Sequence, residues 1–201
     1  DRLERQSIVE KRDAWQIAQH YIDAFFEDIR RMNLTPAHRY PRATDHVPLM
    51  IDMIGELIRR GYAYEVDGEV YYDLSRFPAY GRLSGNTLEK LEAGARIAVD
   101  PRKRHPHDFA LWKYDPKHQM KWASPWSEGF PGWHIECSAM SKKYLGETFD
   151  IHGGGMDLLF PHHESEIAQS KGSCGHHPVK YWLHNNMITI NGQKMGRSLN
   201  N

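Results

Sequence analysis

The sequence predicts an α/β fold, and three observations support this prediction. From residue 121 onward, stretches typical of strands alternate with stretches typical of helices, as in a parallel sheet with crossover helices. A predicted strand over residues 149–151 runs directly into three glycines, and ligands bind at such strand ends in open parallel sheets. Residues 1–120 instead predict helices and a hairpin. We therefore divide the chain into a helical segment with an inserted region, 1–120 (the front region), and half of an α/β nucleotide-type domain, 121–201 (the back region).

The composition excludes several classes of protein. The chain has 201 residues and a formal net charge of zero, so no overall positive field attracts nucleic acid. Aromatic residues make up 11% of the chain, which argues against disorder. No apolar run approaches the roughly 18 residues of a membrane-spanning helix. Two cysteines, Cys137 and Cys174, are too few for a disulfide framework. These features predict a cytoplasmic protein without a membrane partner.

The front region begins with two predicted helices. Apolar residues recur at helical spacing from residue 1 to about 33, so we expect one long helix that stops before Pro36. Thr44 is the expected N-cap of a second helix, and Gly61 is its expected stop.

A hairpin follows the second helix. Asp67 and Gly68 separate two strand-like stretches, and this dipeptide favours a type I′ turn. Residues 86–89 resemble a capping box that opens a short helix, and residues 109–112 predict a strand.

The back region alternates between the two kinds of element. Its expected helices cover residues 133–144 and residues 161–171, the latter with a proline near its first turn. Its expected strands cover residues 149–151, 180–184 and 187–190.

The densest polar cluster lies at residues 162–166. His162 and Glu166 are four residues apart, so they share a face of a helix, and both side chains ligate zinc in proteins. Cys137 lies 25 residues before His162, on a separate predicted helix, and offers a third ligand. On these residues alone, a solvated helix face with a buried free cysteine is the favoured interpretation.

Two further features of the back region suggest a polyphosphate ligand. The first is the predicted strand end, where glycines let a ligand approach the backbone, although a glycine triplet alone is more often a flexible loop. Its residues are His152, Gly153, Gly154 and Gly155. The second is a loop with two cations three residues apart, Lys194 and Arg197, for which a solvated basic turn is the commoner meaning. The basic run at residues 102–105 is interpreted as a solvated loop.

The order of these features resembles the cysteine-tRNA ligase family. The resemblance covers essentially the whole chain, and its motif before Cys137 is highly specific. The loop at residues 194–198 falls where the family has its KMSKS loop. The matching stretches of the back region are residues 131–140, 149–155, 157–164 and 166–169, and those of the front region are residues 42–44, 80–84, 93–96 and 108–113.

The resemblance implies a class I aminoacyl-tRNA synthetase, in which a connective insertion splits a Rossmann-type catalytic domain. Such an enzyme activates cysteine with ATP and Mg²⁺ and transfers it to tRNA(Cys). Residues 121–201 would then be the second half of the Rossmann-type domain, ending at the KMSKS-like loop. The sequence does not begin with Met and lacks the family's HIGH motif. We therefore expect a fragment of the catalytic domain, inactive alone and monomeric.

By position, the resemblance assigns roles to individual residues. Cys137, His162 and Glu166 match three zinc ligands, and the fourth, a cysteine near the family's N-terminus, is absent from these residues. Trp133 matches an aromatic wall beside the substrate side chain, and Asp157 matches the acid that holds the substrate ammonium.

The remaining roles concern ATP. Residues 152–155 match the ATP-facing strand end, and Lys194 and Arg197 would counter the charge of the triphosphate. Three positions depart from the family pattern of this loop, namely Gly196, Arg197 and Asn200.

A zinc ion has a physical purpose in such a site. Cysteine and serine differ by sulfur for oxygen, and a hydrophobic pocket separates near-isosteres weakly. A soft thiolate binds zinc readily, and its pKa falls on coordination. The hypothesis is that the substrate thiolate completes the coordination of zinc, which selects cysteine without editing.

Two alternatives remain open. A related ligase joins cysteine to an aminoglycoside in mycothiol synthesis, with the same fold, zinc and adenylate chemistry. The other alternative is an inactive module that binds zinc or RNA.

Overall fold

A computed structural model describes residues 2–86 and 100–201 of the chain. Within these ranges no helix is long and apolar enough to span a membrane. The helices are α1 (Arg2–Glu10), α2 (Ala14–Arg31), α3 (Val47–Arg59), α4 (Trp133–Leu145), the short α5 (Met156–Leu158) and α6 (Glu164–Cys174). The strands are β1 (Ala63–Val66), β2 (Glu69–Tyr72), β3 (Phe109–Tyr114), β4 (Trp122–Ala123), β5 (Glu128–Pro131), β6 (Phe149–Gly155), β7 (Val179–Asn185), β8 (Thr189–Ile190) and β9 (Gln193–Lys194).

The single helix predicted over residues 1–33 is wrong at its centre, where the chain breaks into α1 and α2. Lys11 adopts a positive φ of 52°, and the side chain of Asp13 accepts a hydrogen bond from Gln16 N at 2.9 Å. This bond caps α2. An aspartate stabilises the start of a helix, but inside a helix its side chain competes with the backbone for hydrogen bonds. The chain therefore forms a second, capped helix after Asp13 instead of one continuous helix.

The N-cap predicted at Thr44 is also wrong. Thr44 lies inside a 3₁₀ turn, Ala43–His46, which leads into α3. Within the described residues α3 begins without a side-chain cap, and Pro48 occupies its first turn. Because proline has no amide hydrogen, one of the donors that a cap would satisfy is missing there. The helix predicted to open at residues 86–89 and the stretch 93–96 lie outside the described residues, apart from Asn86.

An antiparallel sheet connects the front region to the back region. Its strand order is β1-β2-β3-β5-β4, and the predicted hairpin is confirmed, with φ of 51° at Asp67 and 79° at Gly68. Strands β4 and β5 come after residue 120, so the sheet extends across the proposed boundary at that residue, and the division into domains stays a prediction.

The predicted parallel pairing is confirmed in the back region. Strands β6 and β7 pair in parallel from Phe149↔Val179 to Gly155↔Asn185, with α6 on the connection between them. The fold is therefore α/β, as the alternation of elements predicts.

A shared core holds helices α4 and α6 on the sheet. Helix α3 contacts both α4 and α6, and Tyr72 of β2 donates a hydrogen bond to the carbonyl oxygen of Ala168 in α6 at 2.9 Å. Core side chains come from both regions and include Met50, Ile54, Leu57, Leu111, Trp112, Ile135 and Ala168.

Gly132 sets the start of α4. Its amide donates to the carbonyl oxygen of Leu111 at 2.8 Å, and a Cβ at this position would collide with the carbonyl oxygen of Ala110. Any side chain at residue 132 must therefore push α4 away from β3.

Gly132→Ala should lower the free energy of unfolding by about 3 kcal/mol, because overpacking against backbone leaves no side chain free to move aside. Gly55→Ala is the matched control. No described atom lies within 4 Å of a Cβ at residue 55, so alanine there should stabilise α3 by up to about 1 kcal/mol. Urea unfolding of both variants measures the difference, and equal free energies would contradict the packing at Gly132.

Candidate functional site

Three segments of the back region bring a sulfur, a nitrogen and an oxygen together. Helix α4 carries Cys137, the turn before α6 carries His162, and α6 carries Glu166. The ligand atoms of these three side chains lie within 4.8 Å of one another. The structure therefore groups the three residues that the sequence proposes as metal ligands.

Proline geometry shapes the turn that carries His162. The helix predicted from residue 161 is confirmed, since a helical turn over Leu159–His163 leads directly into α6, although Phe160 inside this turn is extended with φ of −135° and ψ of 131°. A residue that precedes proline is disfavoured in the helical region. His162 and Glu166 nevertheless meet, with 2.9 Å between His162 Nε2 and Glu166 Oε1.

The carboxylate of Glu166 is buried and incompletely satisfied. Its side chain is 3% exposed, and among the described residues its Oε1 atom has no hydrogen-bond partner despite the nearby His162 nitrogen. Burial of a carboxylate oxygen without a partner is costly. A cation between Glu166, His162 and Cys137 would satisfy it, and a set of sulfur, nitrogen and oxygen donors suits Zn²⁺.

The surroundings of Cys137 favour a neutral thiol as long as no cation is present. Burial, together with the carboxylates of Glu166 and Glu136, raises the pKa of the Cys137 thiol to about 12. A bound metal ion reverses this effect, because a coordinating thiol loses its proton. The Cys137 site therefore becomes a thiolate site only together with a cation.

His134 orients the ring of His162, and the sequence analysis did not identify His134 as a site residue. The Nδ1 atoms of the two rings lie 2.8 Å apart, which leaves Nε2 of His162 facing Glu166. Burial and the neighbouring His162 lower the pKa of His134 to about 3, so its ring is neutral. Its position three residues before Cys137, on the same helix face, was the available signal.

A second layer of imidazoles lies behind Glu166. His163 Nδ1 is 2.8 Å from His184 Nε2, and His152 Nδ1 is 3.5 Å from Glu166 Oε2. Trp182 stacks on His152 with ring centroids 4.6 Å apart. Burial lowers the pKa of His163 to about 4 and also lowers the pKa of His152. Sequence reasoning named His152 as a site residue but gave no role to the other three, of which His163 lies in the turn before α6 while Trp182 and His184 lie in β7.

Two of the three glycines make room for protein side chains. A Cβ at Gly154 would lie 2.7 Å from Cε1 of His163, and one at Gly155 would collide with the carboxylate of Asp157. At Gly153 the nearest described atom would be the Leu183 oxygen, at 3.9 Å. At Gly154 and Gly155 the space of a Cβ is thus taken by His163 and Asp157, and the expectation that the strand end binds a ligand stays a prediction.

Trp133 and Asp157 lie at the ends of elements that border the cluster. Trp133 is the first residue of α4, is 58% exposed, and has its ring centroid 4.3 Å from that of His162. Asp157 is exposed in α5, directly after β6. Trp133 therefore lies next to His162, whereas the role expected for Asp157 stays a prediction.

The KMSKS-like loop forms a separate hairpin. Lys194 is exposed in β9, which pairs with β8 and not with the β6-β7 sheet, and Arg197 opens a short 3₁₀ turn. Asn200 has a φ of 52°, a left-handed conformation that asparagine tolerates better than most residues. Asn201 closes the loop by accepting a hydrogen bond from Gly196 N at 2.9 Å.

The chain is similar along its whole length to one family. Residues 1–201 match the family described as tRNA synthetases class I (C) catalytic domain. The cysteine–tRNA ligase of Chlorobium chlorochromatii is 53% identical over 203 residues, which cover 100% of this chain and 42% of that protein.

Relatives from distant organisms show the same coverage. The cysteine–tRNA ligase of Deinococcus radiodurans is 54% identical and that of Pyrococcus furiosus 50%, each over 100% of this chain, which covers 40% and 42% of the two proteins. The chain therefore spans about two-fifths of the length of these curated relatives.

Gly154→Ala should displace the His163 ring and lower the free energy of unfolding by about 1–3 kcal/mol, the usual cost of overpacking. Gly153→Ala is the matched control on the same strand and should change stability by less than about 0.5 kcal/mol. Thermal unfolding of both variants checks this. Equal midpoint temperatures of unfolding for the two variants would show that the glycine at residue 154 does not make room for His163.

Proposed function

Because the chain belongs to the class I tRNA synthetase (C) catalytic-domain family, we propose that its protein activates cysteine with ATP and transfers it to tRNA(Cys). The observation that carries this proposal is the convergence of Cys137, His162 and Glu166. A metal ion held by these three ligands would bind a thiolate, which gives a physical reason why cysteine is the amino acid. Family membership alone does not give this reason.

The three residues fit a zinc ion. Zn²⁺ held by Cys137, His162 and Glu166 supplies a soft Lewis acid that prefers a thiolate to a hydroxyl. The Oε1 atom of Glu166, which lacks a hydrogen-bond donor among the described residues, is available as a ligand atom. His134 holds the His162 ring in the required orientation, as outer partners of metal-binding histidines commonly do.

Two exposed residues would hold the rest of the amino acid. The Trp133 ring, beside His162, forms an apolar wall for the short side chain. The carboxylate of Asp157 pairs with the substrate ammonium, and Gly155 leaves the space in which this carboxylate lies. These contacts orient the substrate carboxylate toward ATP.

For cysteine activation the protein has to position the reactants and stabilise charge, and no side chain needs to bond covalently to the substrate. An oxygen of the cysteine carboxylate attacks the α-phosphorus of ATP, a new O–P bond forms, and the bond to the leaving pyrophosphate breaks. Residues 152–155 would seat the nucleotide at the end of β6, and Lys194 and Arg197 would neutralise charge that develops on the pyrophosphate. A ribose hydroxyl of the tRNA then attacks the carbonyl carbon of the adenylate, a new ester bond forms, and the acyl–phosphate bond breaks to release AMP.

The intact protein should therefore catalyse ATP–pyrophosphate exchange that depends on cysteine and is at least about 100-fold slower with serine. Cys137→Ser should lower the exchange with cysteine by more than about 100-fold, since a lost ligand costs at least as much as a lost outer partner. Cys174→Ser, which changes a cysteine outside the cluster, is the matched control and should retain the wild-type rate.

The outcomes separate the alternatives. Exchange with cysteine but transfer to an aminoglycoside rather than tRNA(Cys) would favour the mycothiol-type ligase. Absence of exchange with any amino acid would favour an inactive binding module and contradict the proposed function.

A further inference from the structure

A turn of the front region contacts the segment that carries the metal ligands. In this turn, residues 80–84 (the 80–84 turn), the backbone nitrogen and the hydroxyl of Ser84 both donate to Glu164 Oε1, at 2.8 and 3.0 Å. The Tyr80 hydroxyl lies 3.0 Å from Ser165 Oγ. Two adjacent residues of α6 are thus tied to a segment about 80 positions earlier in the chain.

These contacts are buried, so their polar groups need hydrogen-bond partners within the protein. Glu164 is 1% exposed, Ser165 is fully buried, and Tyr80 is 5% exposed. A buried carboxylate must find donors, and hydrogen bonds to a charged acceptor are among the stronger ones in proteins. The Ser84 nitrogen and hydroxyl meet this requirement for Glu164, so the 80–84 turn and α6 hold each other in place.

The tied residues lie between two of the candidate metal ligands. Glu164 and Ser165 separate His162 from Glu166 along the chain, and the Tyr80 ring also meets Phe160 edge-on with centroids 6.0 Å apart. The 80–84 turn therefore contacts the segment both before His162 and after it.

We propose that the 80–84 turn is a positioning clamp that holds His162 and Glu166 in the arrangement that metal binding requires. This inference rests on the proposed metal site. Release of the clamp leaves every ligand atom present, but the turn before α6 and the Glu166 side chain gain conformational freedom that a bound metal must remove. The expected loss is therefore in metal affinity rather than in the number of ligands.

The test compares zinc dissociation constants in the intact protein by competition with a chromophoric chelator. The double variant Tyr80→Phe/Ser84→Ala removes two hydroxyls and should bind zinc about 10–100-fold more weakly, as loss of outer partners does. Glu164→Gln keeps the shape of the side chain and removes its charge, so it should weaken binding in the same direction. Cobalt substitution should show altered d–d bands in both variants.

Tyr64→Phe is the matched control. The Tyr64 hydroxyl, in β1, donates to Asp108 Oδ2 at 2.7 Å and accepts from the Arg104 backbone nitrogen at 2.8 Å. These bonds involve neither the 80–84 turn nor α6. The zinc affinity of this variant should stay within about twofold of the wild type, even where its thermal stability falls as far as that of the double variant.

Three results would overturn the inference. Zinc affinity of the double variant within about twofold of the wild type would show that the turn does not position the ligands. An equal loss in Tyr64→Phe would show that general stability sets the affinity. A wild-type protein that binds no zinc would contradict the metal site itself and the clamp with it, whereas the first two results leave the proposed function standing.

Discussion

The buried oxygen of Glu166, which no donor from the described residues satisfies, is the constraint on which the rest of the site depends. It lies 2.9 Å from an imidazole nitrogen and within reach of a thiol whose pKa is raised by burial and by neighbouring carboxylates. A carboxylate, an imidazole and a buried thiol form a poor hydrogen-bonded group, but together they are good ligands for a soft divalent cation. A zinc ion would therefore stabilise the fold and also create the thiol-selective chemistry of the proposed reaction.

The fold provides this arrangement through contacts between distant segments. Gly132 allows α4 to begin close to β3, which places Cys137. The parallel pair β6-β7 places His152 and His184 beside His163, with ring centroids 4.8 and 5.0 Å from the His163 centroid. The front region supplies the hydrogen bonds to the start of α6. Cys137, His162 and Glu166 all lie in the back region, but both regions of the chain contribute the contacts that position them.

Much of this arrangement was predictable from the sequence. The Asp67-Gly68 turn, the parallel strands and the helical spacing of His162 and Glu166 are local signals, and the structure contains all three. A local signal also explains one wrong boundary in hindsight, since Asp13 caps a new helix, and Pro161 accounts for the extended conformation of Phe160. The pairing of His134 with His162 and that of His163 with His184 were not predictable, because each joins separate elements, although the spacing of His134 from Cys137 was a local signal for its position. The space beside Gly154 is likewise a property of the packed structure.

The most direct measurement is the zinc content of the intact purified protein and of two variants, Cys137→Ala and Cys174→Ala, determined by mass spectrometry of the bound metal. One zinc per chain in the wild type and in Cys174→Ala, with loss in Cys137→Ala, is the predicted result. Zinc retained in Cys137→Ala, or absent from all three proteins, would contradict a metal centre built on Cys137, His162 and Glu166.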